Sequence, residues 1–312
     1  MSLIEKAANR LNAEFTAPPP SDPPPAVTAP PPSVDPSPPW IATEEVPIPT
    51  QEAEESLAQN NRPIIPIDLA RLRKLNILAP TGSSGEYSAT AEEFRMIKRP
   101  LLNRAFEPGS QTKNANLVMI TSPLPGDGKS FCALNLAISI AMEKDRTVLL
   151  VDADVSKPSQ MKLLGIEADR GLMDLLQDPS LTPADVLLRT SIPNFSLLPA
   201  GRPSRTATEY LASVSMANLL DDLSGRYPDR LILFDSPPLL ITTEASVLSS
   251  HMGQVVVVSN AENTTHSALK AALDLVRDCP HVGVVINRTT HQISFGDYGY
   301  GYGYGYGYGQ RA

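Results

Sequence analysis

The run LVMITSPLPGDGKS, Leu117 to Ser130, leaves this chain few choices. An apolar stretch stops at a turn rich in Pro and Gly that ends in Gly-Lys-Ser, and the FCALNLAISIAM that follows reads as a helix. Read as strand, loop and helix, the segment is a phosphate-binding loop. Gly126 and Gly128 let backbone N–H groups approach an anion, and the helix turns its positive N-terminus toward the same anion. Lys129 then reaches the β and γ phosphates, and Ser130 offers its hydroxyl to the Mg²⁺ that accompanies a triphosphate. Pro125, Gly126, Asp127, Gly128, Lys129, Ser130 and Phe131 are the residues expected around the nucleotide. Pro123 stands where the strict pattern G-x-x-x-x-G-K-[ST] has its first Gly, so the competing reading is a Gly-turn followed by an unrelated Lys-Ser. The succession of strand, turn and helix favours the loop.

At 312 residues the chain holds one large α/β domain with tails. With 26 basic against 34 acidic residues, a formal charge of -8, it is not suited to unassisted nucleic-acid binding. Cys132 and Cys279 have neither metal-site nor disulfide spacing and are expected to be buried thiols in a reducing cytosol. No apolar run approaches the ~20 residues needed to span a bilayer, and the N-terminus lacks a signal-peptide core. The expectation is a cytoplasmic protein without a direct membrane span, held at the membrane only through a partner.

Four regions follow from composition and periodicity. Residues 1–62 combine a short amphipathic helix, with Leu3, Ile4, Ala7, Leu11 and Phe15 on one face, and a Pro-rich, polyproline-biased linker. Residues 63–116 read as a helical extension. Apolar residues recur at helical spacing after Asp68, and Thr90 and Glu93 form a capping box for a helix through EEFRMIKR, which Pro100 should kink or restart. Glu92, Arg95 and Lys98 recur every third residue on that helix and share one face, either a solvated stripe or a surface for a neighbouring subunit. Residues 117–290 alternate strands (TVLLVDAD, FSLLPAG, LILFDSPP, VVVVSN, GVVINR) with helical stretches (TATEYLASVSMANLLDDL, SALKAALDLVRD). This predicts a mostly parallel, doubly wound sheet of P-loop NTPase type with its ligand site at the carboxyl ends of the strands. Residues 291–312 form a Gly/Tyr tail in which Tyr298, Tyr300, Tyr302, Tyr304, Tyr306 and Tyr308 alternate strictly with Gly. Such a segment builds no core, and is either a sticky low-complexity tail or a row of available hydroxyls.

Asp152, Asp154 and Asp235 end strands beside the loop. Buried strand-end carboxylates are costly unless paired or bound to metal, so this trio points to Mg²⁺ and to proton transfer. Asp235, after the apolar LILF, has the place of a Walker B acid.

With these motifs in order, the chain resembles the bacterial tyrosine kinases. The resemblance rests on SPLPGDGKS, LLVDAD, LILFDSPP, EEFRMIK and the Tyr-rich terminus. EEFRMIKRPLL, TVLLVDADVSKPS, LLPAGRP, ATEYLAS and FDSPPLLITTEASVLSSHMGQVVVV further resemble the tyrosine autokinases of exosortase-linked exopolysaccharide loci, over residues 88 to about 290 and the tail. The resemblance implies an ATP- and Mg²⁺-dependent protein tyrosine autokinase with Walker A at Ser122–Ser130, Walker A′ at Leu149–Asp154 and Walker B at Leu231–Asp235. Asp152 and Lys129 take catalytic roles, and Ser130, Asp154 and Asp235 the metal. The tail tyrosines are the acceptors, phosphorylated in trans. It also implies a homo-oligomeric ring built through Glu92, Arg95 and Lys98, and activation by a transmembrane polysaccharide copolymerase at the inner face of the plasma membrane. Lys98 replaces an Arg of the family pattern, Ser156 stands where an Arg often follows D-x-D, and Glu244 stands in the place of an Asp. Two other readings remain: a partitioning or placement ATPase with a deviant Walker loop, whose signature Lys would fall at Leu124, and a nucleotide-dependent adaptor without transfer activity.

Overall fold

The computed structural model describes residues 63–80, 89–109, 112–204, 206–227 and 229–289. The N-terminal helix and Pro-rich linker and the Gly/Tyr tail expected from sequence lie outside these residues. The strands are β1 (Ile64–Ile65), β2 (Leu117–Thr121), β3 (Thr147–Asp152), β4 (Leu188–Thr190), β5 (Phe195–Leu198), β6 (Arg230–Asp235), β7 (Gln254–Asn260) and β8 (His281–Asn287). They form one sheet in the order β1-β4-β5-β3-β6-β2-β7-β8. From β5 to β8 every pairing is parallel, and β4 runs antiparallel to β5.

The helices are α1 (Leu69–Lys74), α2 (Ala89–Ala105), α3 (Lys129–Ala141), α4 (Gln160–Leu164), α5 (Leu172–Gln177), α6 (Pro183–Val186), α7 (Ala207–Leu211), α8 (Val214–Arg226), α9 (Glu244–Ser249) and α10 (His266–Leu275). They cover both faces of the sheet, and strand parity decides which residue feeds which layer. Leu117, Met119, Leu149, Val151, Ile232 and Phe234 enter one core with α5, α7, α8 and α9. Val118, Ile120, Val148, Leu150, Leu231 and Leu233 enter the other, with α1, α2 and α3. Strands buried on both faces need no polar alternation, which is why they read as continuous apolar runs. Helix α3 is buried from Cys132 through Ala141, the all-round apolar helix that such a position requires.

Local chemistry corrects several expectations. Helix α2 passes through Pro100 instead of restarting there, and Thr90 already lies inside it. Pro100 removes the one N–H that would bond the carbonyl of Met96, a residue 45% exposed, so the helix continues at the cost of a single bond. The stretch TATEYLASVSMANLLDDL is two helices, α7 and α8, because the Ser213 hydroxyl accepts from the Met216 N–H at 3.3 Å and caps a new start. Periodicity gives no sign of β1 and β4, which are too short to carry any. Cys132 is buried as expected, whereas Cys279 is only half-buried.

Candidate active site

In-register pairing brings the acids together. Asp152, the last residue of β3, is the direct neighbour of Asp235, the last residue of β6, and Asp235 is opposite Ile120 on β2, from which the loop departs. Both carboxylates are fully buried, and Asp154 is nearly so. Lys129, the first residue of α3, reaches them: its Nζ lies 2.7 Å from Asp154 Oδ2 and 3.7 Å from Asp235 Oδ1, and donates to Ser130 Oγ at 3.3 Å. Burial works to lower the Lys129 pKa, but Asp235 and then Asp154 outweigh it and hold the ammonium above its ordinary value.

The Asp152 carboxylate is split between two surroundings. Its Oδ2 accepts from the backbone N–H of Ser159 at 3.0 Å and of Gln160 at 2.9 Å, while Oδ1 is buried without a partner. Desolvation first, and then the charge of Asp235, push its pKa up to about 7, against the pull of the two backbone donors. Burial also raises Asp235, opposed by Lys129 and by hydrogen bonds from Ser130 and Gln160.

The loop is braced by the side chain of Asp127, expected at the nucleotide, and by Thr264 and Asn287, which the sequence does not mark. Asp127 points into the protein, where its carboxylate accepts from Leu124 N at 2.9 Å and from the Thr264 hydroxyl at 2.8 Å, so it shapes the loop with its side chain. Asn287, ending β8, donates from Nδ2 to the Asp127 carbonyl at 2.9 Å and packs so tightly that a Cβ on Gly128 would lie 2.1 Å from that nitrogen. Gly128 has φ +102° and Gly126 φ +88°, both in the left-handed region. Pro125 and Gly126 are exposed at the crest of the loop, and a Cβ on Gly126 would meet nothing within 4 Å, so the crest faces open space. Phe131 packs edge-on to Phe94 of α2, with ring centroids 6.5 Å apart. Gln160 is the main residue missed. Its Nε2 donates to Asp235 Oδ2 at 2.8 Å and to the Ser130 carbonyl at 3.1 Å, tying three elements at the site. An amide eight residues past Asp152, at the start of the five-residue helix α4, carries no sequence signal of that role.

The other expected site residues lie elsewhere. On α2, Arg95 pairs with Glu92 on the solvent side, but Lys98 leaves that stripe: it is buried, donates to the Ser139 carbonyl at 2.6 Å and pairs with Glu143 at 2.8 Å. The third residue of the expected charged face is thus spent inside the chain, against the end of α3. Glu244 begins α9 and accepts from the Thr208 hydroxyl at 2.9 Å. Ser156 is exposed.

The segment that holds this mostly parallel sheet, the loop opening α3 and the two adjacent buried strand-end acids matches a family model. The ParA family, described as NUBPL iron-transfer P-loop NTPases, matches residues 113–295, more than half of the chain. The chain belongs to the ParA-type P-loop NTPases. Its relatives include proteins named as tyrosine-protein kinases. It is 32% identical over 187 residues to the tyrosine-protein kinase Wzc of Salmonella typhimurium, covering 59% of this chain and 26% of that one. It is 28% identical over 229 residues to the tyrosine-protein kinase YwqD of Bacillus subtilis, covering 72% of this chain and 91% of that one. This ParA-type chain thus spans about a quarter of the length of the large curated relatives it matches and nearly all of the shorter one. Among solved structures it resembles the chimerical protein CapA2B2, with a TM-score of 0.59 and 30% identity over 76% of this chain and 98% of that one.

Proposed function

We propose that the chain is an ATP-dependent protein tyrosine autokinase that phosphorylates its own cluster Tyr298, Tyr300, Tyr302, Tyr304, Tyr306 and Tyr308 in trans and so regulates exopolysaccharide synthesis or export. The observation that carries this reading is Asp152, a buried strand-end carboxylate with a free Oδ1 and a pKa pushed up to about 7, beside the phosphate loop of a chain that carries a tyrosine ladder. A phenol with pKa near 10 needs a positioned base at neutral pH, and a carboxylate raised to that range suits proton transfer. The names of the relatives support the same class of reaction.

The residues fit a magnesium nucleotide. The loop crest is open at Gly126, and the buried Asp235 Oδ1 lies 3.7 Å from the Lys129 ammonium without a close hydrogen-bond donor. Among the described residues no three His, Cys, Asp or Glu side chains are arranged to hold a metal by themselves. Mg²⁺ commonly takes few protein ligands and completes its shell with phosphate oxygens and water, so Ser130, Asp154 and Asp235 are sufficient contributors. Bound ATP with Mg²⁺ supplies the phosphoryl group. Asp152 takes the tyrosine proton at Oδ1. Lys129 brings positive charge to where negative charge gathers, and it must exchange its pairing with Asp154 for the phosphates to do so.

The reading includes a homo-oligomeric ring using the exposed Glu92 and Arg95, and activation by a transmembrane polysaccharide copolymerase at the inner face of the plasma membrane. Among the described residues no helix is long and apolar enough to cross a membrane. The second reading is a P-loop ATPase of partitioning or placement type, which shares the loop and the acids, although Leu124 stands where that class carries its signature Lys. Mass spectrometry of the purified chain after incubation with Mg-ATP separates the two. Phosphotyrosine on the tail supports the kinase, and nucleotide hydrolysis without it supports the ATPase.

A further inference from the structure

Strand β8 ends the sheet without protection. Among the described residues nothing pairs with its outer side, and its register with β7 runs unbroken from His281 to Asn287. Edge strands usually carry Lys, Pro, a bulge or an inward charge that discourages further pairing, and HVGVVIN has none of these. Val282, Val284 and Ile286 are 39%, 44% and 60% exposed. Being opposite Val255, Val257 and Ser259 of β7, the three stand on one face of the sheet. The result is an apolar row beside a line of backbone donors and acceptors that no strand among the described residues pairs with.

We infer that this edge is the docking site of the chain's own Tyr–Gly ladder, with Tyr298 to Tyr308 added to β8 as an antiparallel strand. The ladder has a period of two, the period of a strand, so in extended form all six rings fall on one face and Gly occupies the other. Residues 288–297 connect β8 to the ladder. A connection of that length suits a return in the antiparallel sense, whereas a parallel addition needs a crossover of a dozen or more residues. Tyr favours strands and packs well on β-branched neighbours, so the ring face fits over Val282, Val284 and Ile286. The Gly face fits the other side, where Gly283 offers no Cβ and Val285 already packs into the core. The ordering entropy of alternating Gly opposes docking and keeps it reversible. A phosphate adds about -1.5 to -2 charges to a ring, which cannot stay over an apolar row, so phosphorylation releases the segment. The docking stands on the geometry of β8 and holds or falls independently of the kinase reading.

The test is hydrogen exchange of the peptide spanning β8, measured by mass spectrometry on nucleotide-free, phosphatase-treated protein. The full-length chain should exchange at least threefold more slowly in β8 than a chain truncated after Phe295, with the difference unchanged on dilution. Replacing all six ladder tyrosines with Ser, which leaves the core untouched, should abolish the difference. Equal exchange in the full-length and truncated chains overturns the proposal. So does protection that fades on dilution, which would place a second copy on the edge, or protection that survives the Tyr→Ser replacements.

Discussion

The single residues of the site differ in what they withstand. Lys129 neutralises Asp154 and Asp235 as well as serving the phosphates, so Lys129→Met should lower phosphate incorporation by about 100-fold or more. The variant should keep its fold but lose stability as pH rises, because two buried acids are left without their cation. Circular dichroism across pH, beside a radiolabel assay, checks both halves, and unchanged incorporation removes Lys129 from the mechanism. Asp152 gives the complementary case. Its folded pKa of about 7 lies above the ordinary aspartate value, so between roughly pH 4 and 7 the folded state binds the extra proton and stability falls as pH rises. Asp152→Asn should flatten that slope, gaining up to about 4 kcal/mol relative to the parent at pH 8 compared with pH 4, while losing transfer activity. In the parent, activity should climb toward neutral pH and level off above about 7. An activity profile centred well below that value would take the base role from Asp152. At this scale the sequence was informative where a motif fixes a residue, as for Gly128, Lys129, the strand-end acids Asp152 and Asp235, and Asp154, two residues past the end of β3. Gln160, Thr264 and Asn287 brace the site from a helix start, a loop and a strand end, where neither spacing nor periodicity marks them.

Among the elements, α2 shows where a repeat is ambiguous. Three-residue spacing turns the helix by about 300° per step, so Glu92, Arg95 and Lys98 drift around it, and the last of them reaches the core side. The sequence states the spacing but not which side α3 covers. Lys98→Ala should therefore destabilise the fold by about 1 to 3 kcal/mol, since the Ser139 carbonyl and Glu143 lose their partner. Glu92→Ala with Arg95→Ala should cost no more than about 0.5 kcal/mol, as expected of an exposed pair. If α2 carries the ring, the double variant alone should shift the light-scattering mass toward monomer at unchanged thermal stability. An unchanged mass leaves Glu92 and Arg95 as plain surface. The strands β2, β3, β6 and β7 and helix α3 were legible because they are buried nearly throughout and so almost uniformly apolar, while β8 was legible from its β-branched run although it is an exposed edge. The division between α7 and α8 was not, since one Ser hydroxyl makes it.

For the whole molecule the question is which site meets which tail. Mixing a full-length Lys129→Met chain with an active chain truncated after Phe295 decides it: phosphotyrosine on the inactive chain establishes transfer between subunits. Its absence, with full-length active protein still labelled, leaves transfer within one chain. The brace at Asn287 gives this experiment its weight. That residue holds the phosphate loop by hydrogen bond and steric fit, and it is also the last residue of β8, from which the tail departs. The tail is thus a tether rooted beside the chain's own catalytic loop. The roughly 18 residues from Thr290 to Tyr308, if free, have an r.m.s. reach of about 24 Å. A tether that short keeps the tyrosines near their own loop at an effective concentration in the millimolar range, before any neighbour arrives. Exchange between subunits then has to compete with a substrate that never leaves, and a tail laid along β8 lowers that competition by taking the tyrosines out of free solution.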